Sequence, residues 1–166
     1  MGKRQKQQAS RGFSRNRVIA IGAIAALVAG IGIAGYNALI PSNGTAPVLG
    51  IAANHFIKAI HTSKGGYLYV SQSSGAVKGL RGSGGGSGAA NPTYTFAKND
   101  LQSIHFINED IETHSKHNFN IDAFNVHTRD LGYFESQTVT FLPDKTGTFE
   151  YYCTIHPEMK GNIVIE

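Results

Sequence analysis

Polar and apolar residues alternate with a period of two along most of the second half of the chain. From Thr93 onward, short runs of four to eight residues change side-chain character at each step, and Asn, Asp, Gly and Pro separate the runs. This pattern predicts β-strands that bury one face. The predicted strands are TYTFA, LQSIHFIN, KHNFNIDA, QTVTFLP, GTFEYYC and GNIVIE.

Two further β-rich runs lie earlier, in HFIKAIHTSKGGYLYVSQ, on either side of a turn at Lys64-Gly65-Gly66. No stretch after residue 40 has a convincing helical period of any length. The part of the chain after residue 40 is therefore expected to be all-β, either a sandwich or a barrel of short strands.

The N-terminal region has a different pattern, with an apolar run at 18–36 that contains no charged residue and continues with one Asn to Ile40. A helix of about 20 residues spans the roughly 30 Å hydrocarbon layer of a membrane. We therefore expect 18–40 to be a transmembrane anchor. The alternative is a cleaved signal peptide, for which the small residues at 34–38 offer a cleavage site.

Charge is distributed unevenly along the chain. Residues 1–17 contain six of the 15 Lys and Arg residues and no acid, whereas the remaining nine basic residues are outnumbered by 11 Asp and Glu. The folded part is slightly acidic, which argues against a nucleic-acid-binding protein. The basic tail at 1–17 predicts a cytoplasmic N-terminus, and hence an extracytoplasmic position for everything after residue 40.

The remaining boundaries follow from composition and length. A Pro-, Gly- and Ser-containing stretch at 41–50 is expected to be a short tether, and 51–166 to form one domain. The glycine-rich segment 81–92 is interpreted as a loop within that domain. An interdomain linker is the alternative, but the roughly 40 residues before it are too few to bury a core of their own.

The C-terminal sequence YYCTIHPEMKG holds the only cysteine of the chain, Cys153. A lone cysteine in an exported domain is either buried in the core or held by a ligand. His156 and Met159 follow it closely, so a thiolate, an imidazole and a thioether lie within seven residues. Soft sulfur together with nitrogen selects copper, whereas zinc more often takes additional Cys or His ligands.

A type 1 copper site needs a second imidazole from elsewhere in the chain. Composition and spacing leave six candidates open: His55, His61, His105, His114, His117 and His127.

Two motifs, HSKHNFNI at 114–121 and YYCTIHPEMKG at 151–161, resemble those of the cupredoxins, the small blue copper proteins, and most closely their amicyanin and plastocyanin branches. The resemblance covers residues 93–166. It implies a Greek-key β-sandwich, here with an N-terminal transmembrane helix, and one type 1 copper ion. The ligand set that it implies is His117, Cys153, His156 and Met159.

The resemblance also implies roles for two neighbouring residues. Asn118 would connect the two ligand-bearing segments, and Pro157 would stiffen the loop that follows the cysteine. There are departures from the family pattern. Lys116 stands where the family has a proline, which alters the charge near the metal, and Asn99-Asp100 replaces a Gly-Asp turn, although Asn also tolerates a positive φ.

With every coordination position taken by protein atoms, a substrate has no place to bind at the metal. We therefore expect an electron carrier and not an enzyme, membrane-tethered, without a small-molecule substrate, and exchanging single electrons with redox proteins at the membrane. A copper-holding or copper-delivery subunit of a membrane complex is the alternative. Catalysis at copper is disfavoured because a second His-x-His cluster and paired cysteines are lacking.

The other polar residues are expected to be structural or solvated. His55, His61 and His105 are interpreted as strand residues and His114 as a solvated side chain, while no role is predicted for His127. The acidic residues Glu109, Asp110 and Glu112 are expected to lie on a solvated loop.

Overall fold

In the computed structural model, the structure describes residues 15–71 and 90–166. Two predicted segments lie partly outside the described residues: positions 1–14 of the basic tail and positions 81–89 of the glycine-rich segment. The chain divides into two compact units, one ending at Ala38 and one comprising Leu39–Glu166. The first contains helix α1 (Arg15–Ala38). Its part from Val18 to Ala38 is long and apolar enough to cross a membrane, as judged by length and composition alone.

The described residues of the second unit form nine short strands and one turn of 3-10 helix. The strands are β1 (Ala53–Thr62), β2 (Gly66–Ser71), β3 (Tyr94–Phe96), β4 (Gln102–Asn108), β5 (Asn120–Ile121), β6 (Val126–His127), β7 (Ser136–Phe141), β8 (Gly147–Tyr152) and β9 (Lys160–Ile165). The 3-10 turn spans Asp122–Phe124, between β5 and β6.

The strands form two mixed sheets. One has the order β2-β1-β4-β7 and the other the order β3-β9-β8-β5-β6. The pairs β1/β4 and β3/β9 are parallel, and the other pairs are antiparallel. This arrangement confirms the all-β fold expected from the period-two pattern.

The core is rich in aromatic side chains. Tyr69 of β2 makes edge contacts with Phe106 of β4, Phe119 and Tyr151 of β8, at ring-centroid distances of 5.5 to 5.9 Å. All four side chains are fully buried. Burying a side chain of this size stabilises the fold by about 1.5–3 kcal/mol, so this cluster fixes the segments that carry the site described below.

Two turns adopt the backbone conformation that their residues favour. Gly66, at the end of the β1–β2 turn, has φ +67°, and Asn99, before β4, has φ +65°. Positive φ is accessible to Gly without strain and to Asn at low cost. The turn at Lys64-Gly65-Gly66 and the survival of the Asn99-Asp100 turn are thus confirmed.

The run KHNFNIDA forms less strand than its alternation suggests. Only Asn120 and Ile121 join the ladder, and His117 makes a single bridge to Leu131. All residues from His117 to Ile121 are buried, so the polar side chains are not on a solvated face. Asn118 instead bonds to Thr154, just after β8, and Asn120 to Tyr152, the last residue of β8.

The segment 41–50, expected to be a tether, contacts the β-sandwich at its start. The Ser42 amide donates to the carbonyl of Thr140 at 2.7 Å. The side-chain amide of Asn43 donates to the carbonyl of Leu142 at 2.7 Å and accepts from its N–H at 3.0 Å. These hydrogen bonds hold the first residues of the segment against the end of β7.

Candidate metal centre

The loop between β8 and β9 carries three of the four predicted ligands. The Cys153 N–H donates to the carbonyl of Met159 at 3.0 Å, and the Met159 N–H donates to the carbonyl of His156 at 3.0 Å. The second bond closes a four-residue turn with Pro157 at its second position, where the fixed φ of proline is favoured. The backbone thus confines Cys153, His156 and Met159 to one short, closed loop.

The fourth predicted ligand comes from a segment that is distant in sequence. His117 exchanges two backbone hydrogen bonds with Leu131, at 3.1 and 2.8 Å. Its ring lies 4.5 Å from that of His156, centroid to centroid. One ligand atom from each of His117, Cys153 and His156 lies within 4.8 Å of the others, and Sγ of Cys153 is 3.9 Å from Nδ1 of His156.

The two ring nitrogens of His117 have different surroundings. Nε2 lies 3.4 Å from Oδ2 of Asp110, and both side chains are fully buried. Nδ1 is buried and has no hydrogen-bond partner among the described residues. A buried polar atom without a partner is costly. A metal ion that accepts the Nδ1 lone pair would remove that cost, so the residues fit a metal.

The donor set favours copper over other metals. A thiolate and two imidazoles are soft and intermediate donors of the kind that select copper. His117, Cys153 and His156 form the group of side chains that could hold the ion here. Met159 is fully buried in the same loop. Its place as a fourth ligand stays a prediction.

Of the four predicted ligands, only His156 reaches solvent. Cys153 is 3 % exposed, His117 and Met159 are fully buried, and His156 is partly exposed. Burial lowers the pKa of both His117 and His156, although Asp110 opposes this shift at His117. Both imidazoles are therefore neutral at neutral pH, which is the state that binds metal.

Asn118 makes the contacts between the two ligand-bearing segments. Its Nδ2 donates to Oγ1 of Thr154 at 2.6 Å, and its Oδ1 accepts from the Thr154 N–H at 2.8 Å. Nδ2 also donates to a carboxylate oxygen of Asp130 at 2.7 Å. These bonds attach the residue after His117 to the residue after Cys153.

Asp110 lies next to the site, and the sequence did not indicate this. It was expected on a solvated loop, but its side chain is fully buried. Burial acts to raise the pKa of Asp110, but hydrogen bonds from Thr113, Ser115 and His117 outweigh it and lower the pKa to about 2. The expectation was wrong because the carboxylate finds enough donors inside the fold to replace water.

Tyr67 is a second neighbour of the site that the sequence did not indicate. It lies at the start of β2, and its ring centroid is 3.8 Å from that of His156 and 5.4 Å from that of His117. Its hydroxyl is 3.1 Å from Oγ of Ser115. His61 of β1 packs on the same ring at 4.7 Å.

The other histidines do not join the cluster. His55 bonds to Gln102, and His105 to Asn54 and Thr138. His114 is exposed and packs on Tyr133, and His127 is exposed and bonds to Asn120. Within residues 15–71 and 90–166, no second group of His, Cys, Asp or Glu side chains has metal-binding geometry.

A comparison with protein families finds a match for the C-terminal part of the chain. Residues 88–165 match the family model described as the cupredoxin-like domain. No curated protein sequence matches this chain.

Similar solved structures include three copper proteins. Reduced auracyanin from the photosynthetic bacterium Roseiflexus castenholzii is 17 % identical, covers 70 % of this chain and 99 % of its own, and has a TM-score of 0.46. Rusticyanin from Thiobacillus ferrooxidans is 17 % identical, with coverages of 70 % and 79 % and a TM-score of 0.48. Copper nitrite reductase from Nitrosomonas europaea is 19 % identical, with coverages of 70 % and 42 % and a TM-score of 0.48.

Proposed function

We propose that this chain, whose residues 88–165 form a cupredoxin-like domain, carries single electrons through one type 1 copper ion. His117 and His156 would supply the imidazole ligands, Cys153 the thiolate and Met159 a weak axial thioether. Copper bound there would supply one-electron redox chemistry. The observation that carries the proposal is the buried Nδ1 of His117, which lacks a partner among the described residues, in a side chain that has a ligand atom within 4.8 Å of those of Cys153 and His156.

The protein's contribution to electron transfer is to hold its ligands still. Cu(I) and Cu(II) prefer different geometries, so ligands that move with oxidation state would slow each transfer. The backbone bonds of Cys153 and Met159 and the side-chain bonds of Asn118 restrain both ligand-bearing segments. In this role Asn118 connects the segments, and Pro157 stiffens the turn after His156.

The burial pattern supports a carrier over an enzyme. Three of the proposed ligands are buried, and only His156 reaches solvent. A partner protein can approach the His156 edge closely enough to exchange an electron, whereas a substrate would need an open coordination position at the metal. We therefore propose redox proteins as the partners, and no small-molecule substrate.

We further propose that α1 anchors the chain in a membrane. Residues Val18–Ala38 suffice to cross it, and six basic residues precede or begin the helix. Basic flanks remain on the cytoplasmic side, which would place the copper domain outside. If the proposal holds, the full chain stays with membranes after an alkaline wash, and external protease digests the β-sandwich. Recovery of a shortened, soluble protein would instead identify a cleaved signal peptide.

Voltammetry of the purified full-length chain in detergent, loaded with copper, tests the electron-carrier role. We expect a reversible one-electron wave and intense visible colour in the oxidised form. A colourless protein that holds only Cu(I) and gives no reversible wave would contradict the carrier role and favour a copper-holding or copper-delivery subunit.

A further inference from the structure

A buried carboxylate contacts the ligand His117 on the side opposite its unpartnered nitrogen. Oδ2 of Asp110 lies 3.4 Å from Nε2 of His117, and neither side chain is exposed. The distance is at the long end of the hydrogen-bonding range. The carboxylate charge and the dipole of the imidazole nevertheless interact strongly at this distance, because both side chains are buried and water does not screen their interaction.

The carboxylate is held in place by other donors. Oδ1 of Asp110 accepts from the Thr113 N–H at 3.0 Å, and Oδ2 accepts from the Ser115 N–H at 3.0 Å and from the Thr113 hydroxyl. Each donor points a hydrogen at the carboxylate. Asp110 therefore stays ionised without a cation beside it, and can act only as an acceptor toward His117.

Asn108, at the end of β4, fixes both members of the pair. Its Oδ1 accepts from the Asp110 N–H at 2.9 Å, while its Nδ2 donates to the carbonyls of Ser115 at 2.7 Å and Leu131 at 2.9 Å. Leu131 is the residue that bridges to the His117 backbone. One side chain thus sets the position of Asp110 relative to His117.

We propose that Asp110 is a positioning residue for the metal centre: it holds the proton of His117 on Nε2, keeps the Nδ1 lone pair aimed at Cys153 and His156, and places a fixed negative charge behind the ligand. This inference rests on the proposed copper site. Metal-bound histidines commonly donate their second N–H to such a group, which orients the ring and makes it a stronger donor.

The fixed charge acts on the oxidation state as well as on binding. Cu(II) carries one more positive charge than Cu(I), so a nearby carboxylate stabilises the oxidised form more than the reduced form. Asp110 is therefore expected to lower the reduction potential. A group that served only to fold the 110–115 loop would not select between oxidation states.

The variants Asp110→Asn and Asp110→Ala separate these effects. Asn keeps an acceptor oxygen for His117 but removes the charge, whereas Ala removes both. Glu109→Gln is the matched control, because it removes one charge from the adjacent residue, which bonds to Lys58 at 2.9 Å and not to a ligand. In the full-length chain we expect Asp110→Asn to lower copper(II) affinity about 10–100-fold and to raise the reduction potential, with little change for Glu109→Gln.

A measurement on the metal-free wild-type chain needs no variant to fold. Nitrogen NMR of the imidazole should show His117 with its proton on Nε2, and Asp110→Ala should lose this preference. A wild-type His117 protonated on Nδ1 would overturn the inference, as would an Asp110→Asn potential and affinity equal to those of Glu109→Gln. Failure of the copper site itself would appear separately, as a wild-type chain with the expected proton position but without a reversible copper wave.

Discussion

The ring of Tyr67 lies against the imidazole of His156, with centroids 3.8 Å apart and planes inclined by 35°. His156 is the one proposed ligand that reaches solvent, so this contact covers part of the open side of the site. The hydroxyl of Tyr67 lies 3.1 Å from Oγ of Ser115, which fixes the ring over the ligand. The β1–β2 hairpin thus contributes to a centre whose proposed ligands come from other segments.

Removing the Tyr67 ring should loosen His156. A packed aromatic pair is worth about 0.5–1.5 kcal/mol, so we expect Tyr67→Ala to speed copper release to a chelator by about two- to tenfold. Tyr67→Phe keeps the ring and loses only the hydroxyl, and should stay close to the wild-type rate. Equal rates for the Phe and Ala variants would contradict a role of the Tyr67 ring in holding His156.

Asn118→Ala should separate the two ligand-bearing segments. It removes both bonds from the buried Asn118 side chain to the hydroxyl and the N–H of Thr154. We expect the free energy of unfolding to fall by about 1–3 kcal/mol in chemical denaturation of the full chain. The exposed Asn162→Ala is the control and should change it little. If Asn118→Ala lowers the free energy of unfolding no more than Asn162→Ala does, Asn118 does not join the two segments.

Gly161 should not tolerate a side chain. It pairs with Tyr151 across β8 and β9, and a Cβ built there would lie only 2.5 Å from Cζ of that ring. Tyr151 is fully buried, and its hydroxyl donates to the carbonyl of Pro92 at 2.6 Å. Gly161→Ala should therefore cost about 1–3 kcal/mol through overpacking.

The control for this variant is Gly50→Ala, because a Cβ at Gly50 meets nothing within 4 Å. Thermal unfolding of both variants gives the comparison. Equal melting temperatures for Gly161→Ala and Gly50→Ala would contradict the packing of Tyr151 against β9.

Alkaline pH should destabilise the fold through Tyr94. Burial raises the pKa of Tyr94 from its usual value of 10 to about 12, while its hydrogen bond with Ser71 acts in the opposite direction. The unfolded chain therefore loses this proton at lower pH than the folded chain. The associated stability is complete below pH ~10 and is lost as pH rises through about 12, by roughly 3 kcal/mol for a two-unit shift.

Denaturant unfolding at several alkaline pH values checks this expectation. Tyr94→Phe should reduce the decline of stability with pH. A Tyr94→Phe variant with the wild-type pH dependence would exclude Tyr94 as its source.

The sequence indicates the part of the site that is local in the chain. Cys153, His156 and Met159 lie within seven residues and are brought together by two backbone hydrogen bonds of one loop. Their side-chain types were enough to suggest copper. The choice of His117 among six histidines needed the resemblance to a known family, because its approach to the loop depends on pairing with Leu131.

Asp110 and Tyr67 illustrate what the sequence alone does not indicate. Asp110 stands among other acids in the sequence. Only the structure shows that Asn108, Thr113 and Ser115 surround it with hydrogen bonds, which stabilise a carboxylate at a buried position. Tyr67 is more than 80 residues from His156 in the chain. It lies in one sheet and His156 in the loop between two strands of the other, so it is the packing of the sheets that brings them into contact. Contacts of this range depend on sheet order, which period-two alternation does not encode.

The central claim is that the thiolate of Cys153 binds copper together with two imidazoles. Optical and EPR spectra of the full-length chain after copper(II) loading test it most directly, with Cys153→Ser as the comparison. We expect an intense visible band and a type 1 EPR signal in the wild type, both lost in Cys153→Ser. A Cys153→Ser spectrum identical to that of the wild type would contradict it.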